Sequence, residues 1–193
     1  QSTCRDVPGK HVDLSLDDVV DTVSTRIAMA QVRHWVENAE PFVLVGSAGC
    51  GKDLMIRHAF AQKRKIIIAT LNCSAQTETA HVVAKIRQCC DLFSASEGRV
   101  YRPRDCERLV LYLKDLNLPK PDMYDTCMLI AFIQQLITFG GFYDTNLEFL
   151  RIERIQFVAS MNPATTVGRH MLNTRFTAIV RICCLDYPDT QEL

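Results

Sequence analysis

The stretch FVLVGSAGCGKD, residues 42–53, decides how the rest of the chain is read. Its first part, FVLVG, is a short apolar run of the kind that forms a strand buried on both faces. Gly46-Ser47-Ala48-Gly49-Cys50-Gly51-Lys52 then fits the pattern G-x-x-x-x-G-K, and LMIRHAFAQK (54–63) reads as a helix. Strand, glycine-rich turn and helix in this order make a phosphate-binding loop. The glycines let backbone N–H groups converge on phosphate oxygens without obstruction by a Cβ. The helix start adds its own N–H groups and the positive end of its dipole, and Lys52 can reach the β- and γ-phosphates.

Working outward, further short apolar runs alternate with helical stretches. Residues 24–38 predict an amphipathic helix with Ser24 as N-cap and Ile27, Ala30, Val32, Trp35 and Val36 on its apolar side. Strands are predicted at 66–71 (IIIATL), 109–113 (LVLYL), 155–160 (IQFVAS) and 178–184 (AIVRICC), helices at 77–92 and 123–138, and a turn around Gly98 and Pro103. FYDTNLEFLRIE (142–153) reads as a small hairpin. This alternation predicts an α/β fold with a five-stranded, mostly parallel sheet and helices on both faces. Ligands of such sheets bind at the carboxyl ends of the strands.

Composition narrows the function classes. The 193 residues fit one domain, and 22 Lys+Arg balance 22 Asp+Glu. A neutral chain carries no electrostatic footprint for nucleic acid or an anionic membrane surface, and no run approaches the length of a membrane span. The nine cysteines follow no C-x-x-C or zinc pattern and read as buried free thiols of a reducing compartment. No metal-ligand cluster and no acyl-transfer motif is visible. The chain begins with Gln1 and lacks a charged-then-apolar leader, so it reads as a piece of something longer, with residues 1–16 as a lead-in and 17–193 as the folded unit.

Two departures from the usual P-loop NTPase pattern stand out. Position 53, which should be the Ser or Thr whose hydroxyl binds Mg²⁺, is Asp53. The best candidate for the acidic strand end (Walker B) is LVLYLKD, residues 109–115, where Lys114 replaces the metal-side Asp and Asp115 replaces the catalytic Glu. A unit charge and a divalent ion about 5 Å apart repel by roughly 6–7 kcal/mol at an effective dielectric near 20. Ordinary Mg²⁺–ATP chemistry is therefore impaired, and the two departures suggest that Lys114 replaces the metal charge and pairs with Asp53.

The sequence resembles the AAA+ modules of dynein heavy chains, most closely the third module of the ring. The resemblance covers about residues 17–190 and rests on VVDTVSTRI (19–27), LNCSAQT (71–77), LKDLNLPKPDMYDT (113–126), QQLITFGGFYD (134–144), IERIQFVASMNPAT (152–165), GRHMLNTRF (168–176) and DYP (186–188) besides the loop. The altered acidic motif, RVYRPRDCERLVLYLKDLNLPK (99–120) and ASM (159–161) are most similar to the heavy chain of retrograde intraflagellar-transport dynein. The resemblance implies an AAA+ large subdomain that binds ATP or ADP and hydrolyses it slowly or not at all, with Mg²⁺ in doubt. It implies that Val19, Val20 and Thr22 line the adenine pocket, that Asn162 is the sensor-one residue, and that Arg175 is the arginine finger acting on the adjacent module, with Arg169 as runner-up. Partners are then the adjacent AAA+ modules, other dynein subunits and microtubules through the parent chain, in the cytoplasm, cytoskeleton and cilium. The small helical subdomain that normally closes such a site is absent from this sequence. The residues leave two other readings open, an active Mg²⁺-ATPase in which Asp115 orients water and a ring scaffold that holds no nucleotide.

Overall fold

A computed structural model describes residues 22–61, 63, 65–95, 98–124 and 126–187. The expected lead-in at 1–16 and the adenine-pocket candidates Val19 and Val20 lie outside these residues. The elements run α1 (Val23–Glu37), β1 (Phe42–Gly46), α2 (Lys52–Ala61), β2 (Ile66–Asn72), α3 (Thr79–Cys89), β3 (Cys90–Ala95), β4 (Gly98–Pro103) and β5 (Arg108–Lys114), then α4 (Met128–Phe139), β6 (Gly141–Tyr143), β7 (Phe149–Ile152), β8 (Ile155–Met161), α5 (Thr174–Thr177) and β9 (Arg181–Leu185).

Five of the strands form the parallel sheet that the sequence predicts, in the order β2-β5-β8-β1-β9. Side chains alternate across a strand, and β5 shows what that does here. Leu109, Leu111 and Leu113 enter a core with Val82 and Ile86 of α3 and Leu129, Ile133 and Leu136 of α4. Val110 and Tyr112 enter the opposite core, with Val32 and Val36 of α1 and Met55, Ile56 and Phe60 of α2. Both faces are covered, which is why the strands read as continuous apolar runs rather than alternating ones.

The cap of α1 lies two residues before the predicted Ser24. Thr22 is the N-cap, its Oγ1 accepting from the Thr25 N–H at 3.2 Å. Its buried residues are Ala28, Met29, Val32 and Val36, so Ile27 and Ala30 face outward. The predicted 77–92 helix stops at Cys89, and residues 90–95 form an antiparallel ladder with 98–103, where only a turn was expected. This ladder continues through β7 to β6 as a second, four-stranded sheet of order β3-β4-β7-β6. The hairpin read at 142–153 is its β6–β7 half. Helix α4 begins at Met128 rather than 123, because the Asp122 carboxylate accepts from the Tyr124 and Thr126 N–H groups and holds that segment in a turn. The predicted strand at 178–184 begins at Arg181, since Ala178 caps α5.

The eight described cysteines are unbridged. Burial pushes the Cys73 and Cys90 thiols up to about 12, so both stay protonated near neutrality. Among the described residues no helix is long and apolar enough to cross a membrane.

Candidate functional site

Parallel strands bring their carboxyl ends to one edge of the sheet. There Gly46 of β1 pairs with Leu185 of β9, and Lys114 of β5 pairs with both Asn72 of β2 and Ser160 of β8. Because β8 lies between β1 and β5, its tip places Asn162 between the glycine-rich loop and the acidic strand end. Asn162 is buried, and its carbonyl accepts from Asn117 Nδ2 at 2.8 Å.

The loop has the backbone its glycines predict. Gly49 and Gly51 have φ of 86° and 83°, the left-handed region that favours glycine. Gly46 is needed for a different reason, since a Cβ there would stand 2.4 Å from the Leu185 carbonyl oxygen of the adjacent strand. A Cβ on Gly51 would meet nothing within 4 Å, so the loop is open on that side. Helix α2 starts at Lys52, and its first-turn N–H groups have no intrahelical partners. The donors, the open side and the helix start together fit a phosphate group. Lys52 Nζ donates to the carbonyls of Gly46 at 2.7 Å and Ser47 at 2.6 Å, and stands 3.7 Å from Cys50 Sγ.

The charged groups sit in opposed pairs. Asp53 Oδ2 accepts from Arg57 Nε at 2.9 Å, and Asp53 Oδ1 lies 3.8 Å from Lys114 Nζ. The Lys114–Asp53 pair is partly solvated, so it adds about 0–1 kcal/mol of stability. What it does change is the local charge, since the carboxylate at the Ser/Thr position already faces two cations. Asp115 carries a left-handed φ of 59°, and its Oδ1 lies 3.0 Å from Arg169 Nη1, whose side chain is largely buried. Each acid of the site thus faces a cation of the same chain. Below them the Tyr112 hydroxyl meets Ser160 Oγ at 2.9 Å, and burial, with the Asp53 charge adding to it, pushes the phenol up to about 12. Among the described residues no group of three His, Cys, Asp or Glu side chains is placed to hold a metal ion.

Gly46, Ser47, Ala48, Gly49, Cys50, Gly51, Lys52, Asp53, Lys114, Asp115 and Asn162 therefore lie along one edge. Thr22 spends its side chain on the cap of α1. Arg175 is exposed on the four-residue α5, where its backbone N–H donates to the Asn173 side chain at 2.9 Å. Arg169, the runner-up for a finger reaching another module, is engaged by Asp115 of its own module instead. Sequence reasoning missed Asn117, whose side chain links the 115–117 turn to Asn162 and whose carbonyl accepts from the His170 N–H at 3.0 Å. It also missed Tyr187, whose hydroxyl donates to the Ala48 carbonyl. Both lie in stretches quoted for the resemblance, LKDLNLPKPDMYDT and DYP, but only the fold brings them to the site.

A phosphate loop after β1, an acidic strand end on β5 and a polar strand tip between them define a P-loop protein of the AAA+ class. The chain belongs to the family described as the P-loop containing dynein motor region, whose model matches residues 14–188, and it is an AAA+ module of a dynein heavy chain. It is 57% identical over 177 residues to cytoplasmic dynein 2 heavy chain 1 of Tripneustes gratilla, covering 91% of this chain and 4% of that protein. It is 48% identical over 194 residues to the human cytoplasmic dynein 2 heavy chain 1, covering 95% and 4%. The chain thus spans about 4% of the length of these relatives. Among solved structures, NtrX of Brucella abortus in complex with ATP superposes with a TM-score of 0.55 at 12% identity, covering 91% of this chain and 39% of that one. At that identity the likeness is one of fold.

Proposed function

We propose that this module holds ATP or ADP in a structural or regulatory way, with little or no hydrolysis, within a dynein 2-type, ATP-driven microtubule motor. The observation that carries the reading is the pairing of Lys114 with Asp53, 3.8 Å apart at the two positions where P-loop folds face a shared divalent ion. The phosphate would lie on the N–H groups of Gly49, Gly51 and Lys52, and the Lys52 ammonium, anchored on the Gly46 and Ser47 carbonyls, would donate to phosphate oxygens. Lys114 would supply a fixed positive charge where the metal otherwise stands. Asn162 would sense the terminal phosphate, and Thr22 with Val19 and Val20 would border the adenine. Arg175 would serve the neighbouring module.

The active-ATPase reading needs Asp115 to orient an attacking water. In the structure its Oδ1 is 3.0 Å from Arg169, which favours the holding role over the hydrolytic one. The parent chain would place this module in the ring, third in order, beside other AAA+ modules, and would reach other dynein subunits and microtubules through distant segments. Cytoplasm and cilium are the compartments that fit the dynein 2 relatives.

Counting nucleotide released on denaturing the full heavy chain tests the reading. Lys52→Ala removes a charge-assisted phosphate contact worth about 1.5–3 kcal/mol, so it should leave one nucleotide fewer per chain after desalting. An unchanged count would contradict the proposal.

A further inference from the structure

The glycine-rich loop is held from two sides. On one side Lys52 Nζ binds the Gly46 and Ser47 carbonyls, which leaves one of its three N–H donors for a ligand. On the other side the Tyr187 hydroxyl donates to the Ala48 carbonyl, and a Cβ on Gly49 would stand 3.8 Å from that hydroxyl. The Cys50 N–H donates to the Ser47 carbonyl at 3.4 Å, closing a turn whose third residue, Gly49, has φ of 86°. A positive φ at that position is the signature of a type II turn, which differs from type I by a flip of its central peptide. That central peptide is Ala48–Gly49. A trans peptide points its C=O and N–H in opposite directions, so pinning the Ala48 carbonyl fixes the direction of the Gly49 N–H.

We propose that Tyr187 is a positioning residue for the phosphate loop, selecting through the Ala48 carbonyl the turn that presents the Gly49 N–H to phosphate. Tyr187 lies two residues beyond β9, whose Leu185 carbonyl already abuts Gly46. The end of β9 therefore supports the loop at two points, by backbone contact at Gly46 and by the hydroxyl at Ala48. The side chain is more than half exposed, so its role lies in that one hydrogen bond and not in core packing. The ligand class is a nucleoside diphosphate or triphosphate, read through its phosphates, and the proposal rests on the nucleotide-holding role of this site.

Fluorescent ADP titrated into the full heavy chain tests it, the Lys52-dependent part of the signal isolating this site. Tyr187→Phe removes one hydroxyl and should weaken that part about five- to tenfold, the scale of one lost hydrogen bond. Competition by pyrophosphate should weaken by the same factor, competition by adenosine should not change, and thermal unfolding should match the parent. Tyr187→Phe binding like the parent while Lys52→Ala abolishes the signal would overturn the positioning role alone. Loss for adenosine equal to that for pyrophosphate would assign Tyr187 a merely structural role and overturn it as well. No Lys52-dependent signal in the parent would overturn the nucleotide-holding reading, and the positioning role with it.

Discussion

Lys114 and Asp53 show how two substitutions at facing positions change a site more than either would alone. Asp53 by itself would add negative charge beside phosphates, and Lys114 by itself would repel a divalent ion. At 3.8 Å each offsets the other, and in the proposed holding role the pocket would keep a cation near the phosphates without recruiting one from solution. Lys114→Met should make binding magnesium-dependent. With the roughly 6–7 kcal/mol repulsion gone, Mg²⁺ should tighten nucleotide binding by about tenfold or more, as read by calorimetry with and without the ion. A titration unaffected by magnesium in that variant would count against the pairing as the cause. Burial acts on other single residues. Cys73 and Cys90 rise from the ordinary thiol value of 9.0 to about 12, and Tyr112 rises from 10.0 to about 12. The unfolded chain releases these protons first, so between these values it binds fewer protons than the native state and native stability falls as pH rises. Denaturant midpoints should therefore hold near neutrality and decline above about pH 9. A midpoint that rises with pH there would contradict the burial of these groups.

Among the elements, β1 and β9 are locked to each other at Gly46, where the Leu185 carbonyl leaves no space for a Cβ. Gly46→Ala should separate the two strand ends and shift the start of the loop. The expected result is a loss of about 1–3 kcal/mol, as overpacking typically costs, together with weaker nucleotide binding, measured by thermal unfolding and titration. Unchanged unfolding would show that β9 can move away freely. The strands of the parallel sheet were legible because burial on both faces made them apolar throughout. The ladder of β3 and β4 was not, because Val82, Val83 and Ile86 set a helical period that runs on through Cys89 and Cys90 into Leu92. Only pairing with 98–103, a contact outside any local window, turns those residues into a strand. The late start of α4 depends on one carboxylate, Asp122, bonding its own backbone, a choice that helical periodicity does not record.

At the scale of the whole molecule, topology assembles the site. The motifs in the sequence named the loop and the acidic strand end, and their register on one sheet edge explains why they meet. Asn117, Tyr187 and Arg169 join them because β8 lies between β5 and β1, and β9 flanks β1 on its other side. Arg169 on Asp115, with Asn117 on Asn162, ties the segment after β8 to the strand end. These two contacts are the ones that would couple movement at the phosphate site to movement of that segment, if the module passes a change to its neighbours. The central claim is that this module keeps nucleotide without a divalent ion. The most direct measurement is ADP affinity at the Lys52-dependent site of the full heavy chain, taken once with excess EDTA and once with millimolar Mg²⁺. The account predicts the same affinity in both and no phosphate release attributable to this site. A tenfold or larger gain with Mg²⁺, or steady Lys52-dependent hydrolysis with the other modules inactivated, would contradict it.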